Sequence, residues 1–115
     1  MDSQIILNAD DFGRSAGINA AVLKAHQEGA LTSASLMVGE EASDEAVAIA
    51  KSHPDLAVGL HIVVVGGHAV SRPQDVSHLV DARGRFGRSP VACGLRYAFD
   101  ADARRELAVE LRAQF

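Results

Sequence analysis

Three side chains have the types and the spacing to do chemistry together: the neighbouring carboxylates Asp10 and Asp11, and the imidazole of His61. A carboxylate oxygen and an imidazole nitrogen suit a divalent cation, and a cation with an open position polarises a carbonyl and lowers the pKa of bound water. Adjacent aspartates diverge in direction, so one can hold the ion while the other faces a substrate or water. Each residue also has a plainer reading, since aspartate favours caps and turns and a strand-end histidine can be a hydrogen-bonded core residue. The group weighs more than its members. Three protein ligands are normal for such a site, whereas one carboxylate of the doublet and His61 are the two that this sequence offers.

The remaining candidates read more simply. His68 and His78 fall in an irregular stretch and are expected at the surface, and His26 and His53 are expected exposed near helix ends. Cys93, the single cysteine, has no Cys-X-X-Cys partner and is expected to pack as a small apolar side chain. Arg83-Gly84-Arg85-Phe86 has the chemistry to touch phosphate, but a solvated turn is its first reading. Asp11-Phe12-Gly13 spells the kinase magnesium motif, yet what precedes it is too short to hold the rest of a kinase nucleotide site.

Elements that would position the doublet and the histidine follow from the apolar pattern. Gln4 to Asn8 reads as a strand, followed by a polar break over Ala9 to Gly13. Ser15 caps a helix with Ile18, Ala21, Val22 and Ala25 on one face, and Gly29 sits where a left-handed cap belongs. Thr32 to Val38 is a second strand, and Ser43 caps a second helix that turns Ala46, Val47, Ile49 and Ala50 inward until Pro54. Leu56 to Val65 supplies a continuously apolar third strand. The class is therefore α/β with parallel strands alternating with helices. Ligands of such folds gather at the carboxyl ends of the strands, where Asp10, Asp11 and His61 all fall.

From Gly66 to Pro90 the periodicity is lost, and this long excursion reads as an active-site flap or an ordinary surface hairpin. Asp100 to Phe115 is a final helix with an N-cap candidate at its start and with Leu107, Leu111 and Phe115 four residues apart. Only three strands appear, so the chain is expected to be a single domain over residues 1–115, and an incomplete one.

Bulk properties narrow the function. The 115 residues are 48% hydrophobic, far too apolar for disorder, and a net charge of −4 gives no general attraction to nucleic acid or anionic lipid. No apolar run approaches the roughly 18 residues of a membrane span, and Ile5-Ile6-Leu7 is too short for the core of a secretory signal. The expectations are a cytoplasmic location, no nucleic-acid partner and no membrane span.

Asn8-Ala9-Asp10-Asp11-Phe12-Gly13, then Leu31 to Val38, then Val58-Gly59-Leu60-His61 resemble, in this order, the YdjC-like carbohydrate deacetylases. Val80 to Phe86 and Gly94-Leu95-Arg96-Tyr97 are similar to the branch associated with hopanoid biosynthesis, HpnK. The resemblance implies the N-terminal part of a distorted (β/α) barrel. It implies Asp11 and His61 as metal ligands, Asp10 as the carboxylate that activates water, and a further histidine ligand beyond the point corresponding to Phe115. It implies one divalent metal ion, Mg2+ by family likeness with Zn2+ as the alternative. The expected reaction is hydrolytic deacetylation of a small acetylated sugar or a sugar-linked lipid intermediate, with a homodimer among the expected assemblies. The 115-residue chain alone is expected to be inactive. The rival is a non-catalytic α/β module, either a receiver-like signalling domain or a truncated remnant that binds a partner.

Overall fold

The computed structural model describes residues 3–115. They group into two compact units, the first ending at His61 and the second running Ile62–Phe115. The first holds strand β1 (Asn8–Phe12), helix α1 (Ala16–Glu28), strand β2 (Ser33–Leu36), helix α2 (Ser43–Ser52) and strand β3 (Ala57–Leu60). Its three strands are parallel and lie in the order β1-β2-β3. Consecutive parallel neighbours joined by helices are how the wall of a (β/α) barrel is built, an arrangement shared by the first three strands of a doubly wound sheet. The α/β reading holds, and the strand order is the one expected for part of a barrel.

The first strand is not where its apolar residues stand. Ile5, Ile6 and Leu7 are exposed, and β1 is instead Asn8-Ala9-Asp10-Asp11-Phe12, which takes in the expected polar break. The register explains the shift. Thr32 and Ser33 both donate backbone N–H bonds to the Leu7 carbonyl, and pairing then runs Asn8 with Ser33 and Ala9 with Ala34. Phe12, fully buried, anchors the strand in a core with Val22, Ala34, Ala46 and Leu56. Burying one phenylalanine contributes about 2–3 kcal/mol by area.

Ser15 caps α1 as expected, its side chain accepting from the Ile18 N–H. The inward face is narrower than the pattern suggested: Ile18, Asn19 and Val22 turn in, while Ala21 and Ala25 are exposed. Gly29 is not left-handed, with φ −125°. Glycine is needed there for space, since a Cβ would lie 2.7 Å from the Ala25 carbonyl oxygen. Ser43 is the first residue of α2 and not its cap; its hydroxyl donates to the Met37 and Glu40 carbonyls. Strand β3 ends at Leu60, with Ala57, Val58 and Gly59 exposed, so the continuous buried strand to Val65 is not formed.

The second unit contains a 3-10 turn (Pro73–Asp75), helix α3 (Pro90–Phe99) and helix α4 (Ala101–Gln114). The stretch from Gly66 to Pro90 is tied as a hairpin by bridges between His68 and Arg85 and between Val80 and Phe86. Helix α3 begins at the last residue of the irregular stretch and runs through residues for which the pattern predicts no element. Ser89 caps it by accepting from the Ala92 N–H, and Pro90 takes the first helical position, where a missing N–H costs nothing. Helix α4 starts on the Asp100 cap as expected, but Phe115 is exposed and the buried positions are Ala103, Glu110 and Gln114. Gln114 pairs with Val63 as a strand neighbour would, accepting from its N–H at 2.8 Å and donating to its carbonyl at 2.7 Å. Glu110 accepts from the Val70 and Ser71 N–H groups and from Gln114.

Candidate active site

Strands β1 and β3 are not neighbours in the sheet, so side chains on them can meet only past the end of β2. The backbone sets this up. The Met37 N–H donates to the Phe12 carbonyl at 2.7 Å, and the His61 N–H donates to the Leu36 carbonyl at 2.8 Å, which pins three carboxyl ends together. The β1 register shifts between Ala9 and Phe12, and Asp11 within that shift has φ 61°, the left-handed region. Aspartate tolerates this region better than most residues, at a cost of about 1–2 kcal/mol. The outcome places Asp11 Oδ1 3.8 Å from His61 Nδ1, with the Asp11 N–H pointing at the same nitrogen at 3.5 Å.

Gly13 completes the turn at φ 95°; a Cβ there would come within 2.8 Å of the Met37 carbonyl oxygen. Asn19, wholly buried, accepts from the Gly13 N–H and donates to the Ala42 carbonyl and Glu45, so helix α1 itself holds the turn in place. Arg14 Nη1 donates to Asp11 Oδ2 at 3.0 Å, leaving Oδ1 toward the histidine. Asp10 goes elsewhere: the Asn8 amide donates to its Oδ1 at 3.1 Å and to the Ser35 hydroxyl at 3.0 Å. The adjacent carboxylates thus diverge, as two separate roles require.

Asp11 and His61 are brought together, and Asp10 is held beside them in sequence by its own partners. Sequence reasoning missed Asn8, Arg14 and Ser35 as participants. Asn8 stands two residues before Asp10, the spacing that puts both on one side of a strand; Arg14 stands three after Asp11. Those spacings were the available signals.

The pair fits a divalent ion in donor chemistry. A carboxylate oxygen and an imidazole nitrogen 3.8 Å apart can both reach one ion with ligand distances of about 2.0–2.2 Å. Among the described residues no group of three His, Cys, Asp or Glu side chains is assembled. The other histidines have structural partners. His26 bonds the Leu31 carbonyl and faces Asp55 at 3.2 Å, with its side chain only 10% exposed, so the expected exposure fails. His53 bonds the Ile49 carbonyl and packs edge-on against His26. His78 pairs with Glu106 at 2.7 Å. Cys93 is buried, as expected.

A parallel sheet alternating with helices, with an aspartate and a histidine converging at its carboxyl ends, defines the class of α/β proteins that carry their site at that end. Within that class the chain belongs to the YdjC-like protein family, whose model matches residues 4–115. It is 47% identical over 111 residues to a carbohydrate deacetylase of Brevibacillus brevis, covering 96% of this chain and 42% of that protein. A carbohydrate deacetylase of Geobacillus stearothermophilus is 42% identical over 115 residues, all of this chain and 45% of that one. Among solved structures, a proposed cellobiose-phosphate cleavage protein of Enterococcus faecalis V583 superposes with a TM-score of 0.75 at 27% identity, over 95% of this chain and 41% of its own. The chain spans less than half the length of the relatives it matches.

Proposed function

We propose that this chain carries the metal-holding and water-activating residues of a carbohydrate deacetylase, which removes the acetyl group from an N-acetylated sugar by hydrolysis. The observation that carries the reading is the approach of Asp11 to His61 across the end of β2. The names of the Brevibacillus and Geobacillus relatives support the substrate class. Asp11 and His61 would hold one divalent ion, Mg2+ or Zn2+. When bound, such an ion supplies Lewis-acid polarisation of the amide oxygen and a water of lowered pKa.

This chain's own residues do the rest. Asp10, oriented by the Asn8 amide, takes the proton of the attacking water as the oxygen–carbon bond forms. The carbon–nitrogen bond then breaks, and the proton stored on Asp10 returns to the departing amine, giving acetate and the free amino sugar. Ser35 fixes Asn8 from the neighbouring strand and so acts on Asp10 at one remove. Arg14 occupies the outer oxygen of Asp11 and keeps the inner one aimed at His61. The finer reading, a sugar-linked lipid of the hopanoid branch, rests on the likeness of Val80 to Phe86 and Gly94 to Tyr97.

The test uses a protein extended to the relatives' length. His61→Ala and Asp11→Asn should each remove metal binding together with acetate release from N-acetylated saccharides. Retention of both by either variant would overturn the ligand assignment.

A further inference from the structure

The second unit carries a surface concavity of about 390 Å³, and three arginines line it: Arg85, Arg88 and Arg96. They come from three separately fixed places. Arg85 sits in the bridge to His68, Arg88 immediately precedes the Ser89 cap of α3, and Arg96 is in the last turn of α3. The floor includes the buried side chains of Leu79 and Phe86. One carboxylate, Asp81, also lines the concavity, but its own turn occupies it. Asp81 accepts from the Arg83 and Arg85 N–H groups at 2.9 Å, and Arg85 Nε approaches it at 3.7 Å. Arg96 spends one nitrogen on the His78 carbonyl. Arg88 has no hydrogen-bond or ion-pair partner among the described residues.

Three guanidinium groups against one satisfied carboxylate leave a surplus of two positive charges in the concavity. Guanidinium presents forked donors that match the oxygens of phosphate, and a tetrahedral dianion can accept from several directions, unlike a planar carboxylate. We infer that this concavity is a binding site for a phosphomonoester group, with Arg88 as the principal donor and Arg85 and Arg96 completing the cradle. The inference stands apart from the deacetylase reading and survives its failure, because none of these residues takes part in that chemistry.

The test titrates the 115-residue chain with inorganic phosphate and with glycerol 3-phosphate, at constant ionic strength balanced with chloride, following backbone amide resonances. A third arm adds phosphatidylcholine vesicles with and without phosphatidate. The expected result is saturable shifts confined to residues 79–88 and the vicinity of Arg96, and a loss of affinity of about tenfold or more in Arg88→Gln. Arg88 is exposed and unpartnered, so this variant keeps the fold, and its unchanged spectrum elsewhere verifies that. Tighter binding of glycerol 3-phosphate than of phosphate assigns the site to soluble esters, and binding to phosphatidate vesicles alone assigns it to a lipid headgroup. No saturable shift in any arm, or equal affinity in Arg88→Gln, would overturn the proposal.

Discussion

Two carboxylates, one in each unit, show how differently a protein can use the same chemical group. Glu110 is fully buried and accepts from two backbone N–H groups and the Gln114 amide, with every donor within 2.9 Å. Asp11 is 36% exposed, sits on a left-handed backbone, and faces His61 across 3.8 Å with an oxygen whose acceptor capacity is not filled. Burial demands that Glu110 be satisfied, and its saturation makes it a fastener between the 70–71 backbone and α4. Asp11 retains capacity for another partner while the fold bears the conformational cost of its position. Unfilled acceptor capacity beside an imidazole is what a site offers a cation; filled capacity is structure.

Substitutions should separate the two carboxylates cleanly. The largest effect is expected in a protein extended to the relatives' length, where Asp11→Asn lowers acetate release by more than about 100-fold with little change in thermal stability. Glu110→Ala should do the reverse. It strands the Val70 and Ser71 N–H groups and should cost about 2–4 kcal/mol in chemical denaturation. If Glu110→Ala proves neutral in stability, or Asp11→Asn unfolds the chain, the contrast collapses. Gly13→Ala comes next, at about 1–3 kcal/mol, because φ 95° and the nearby Met37 carbonyl oppose a side chain.

The pH dependence sharpens the same contrast with smaller effects. Burial pushes the Glu110 carboxyl up, but the bonds from Ser71, Gln114 and Val70 outweigh it and hold it below the ordinary 4.5. Its contribution is therefore present above pH 4.5 and lost as pH falls through its folded value. Glu110→Gln should flatten that acid limb in denaturation curves collected at successive pH values. Histidines give the opposite sign. The Leu31 carbonyl raises the pKa of His26 most strongly, burial opposes, and Asp55 adds to the rise; at His78 the Glu106 carboxylate does the same. Their stabilisation is complete below pH 6.5 and is lost as pH rises through the folded values. His26→Gln and His78→Gln should each remove part of a decline in stability above pH 6.5, and unchanged profiles would refute both pairings.

Much of this was legible in the residues, and what was not has physical reasons. The parallel α/β plan, the Ser15 and Asp100 caps and the meeting of Asp11 with His61 followed from periodicity and from the rule that ligands gather at carboxyl ends. The position of β1 did not, because Ile5-Ile6-Leu7 has the stronger strand character while the ladder to β2 selects Asn8 to Phe12. Helix α3 was obscured because Ser89-Pro90 signals either a turn or a helix start, and only the continuation decides. Nothing in the sequence marks Glu110 and Gln114, since their burial depends on N–H donors from residues 63–71 that no local pattern reveals. At the site, the Asn8 and Ser35 support for Asp10 depends on the β1–β2 register, which is a tertiary fact.

The central claim is that Asp11 and His61 share one cation, and metal titration of this chain measures it most directly. Mn2+ or Zn2+ followed by calorimetry, with the His61 imidazole resonances observed in parallel for Zn2+, should give one saturable site that is weakened strongly by Asp11→Asn and by His61→Ala alike. Binding that is unchanged in either variant, or His61 resonances that do not respond while the metal binds, would contradict it.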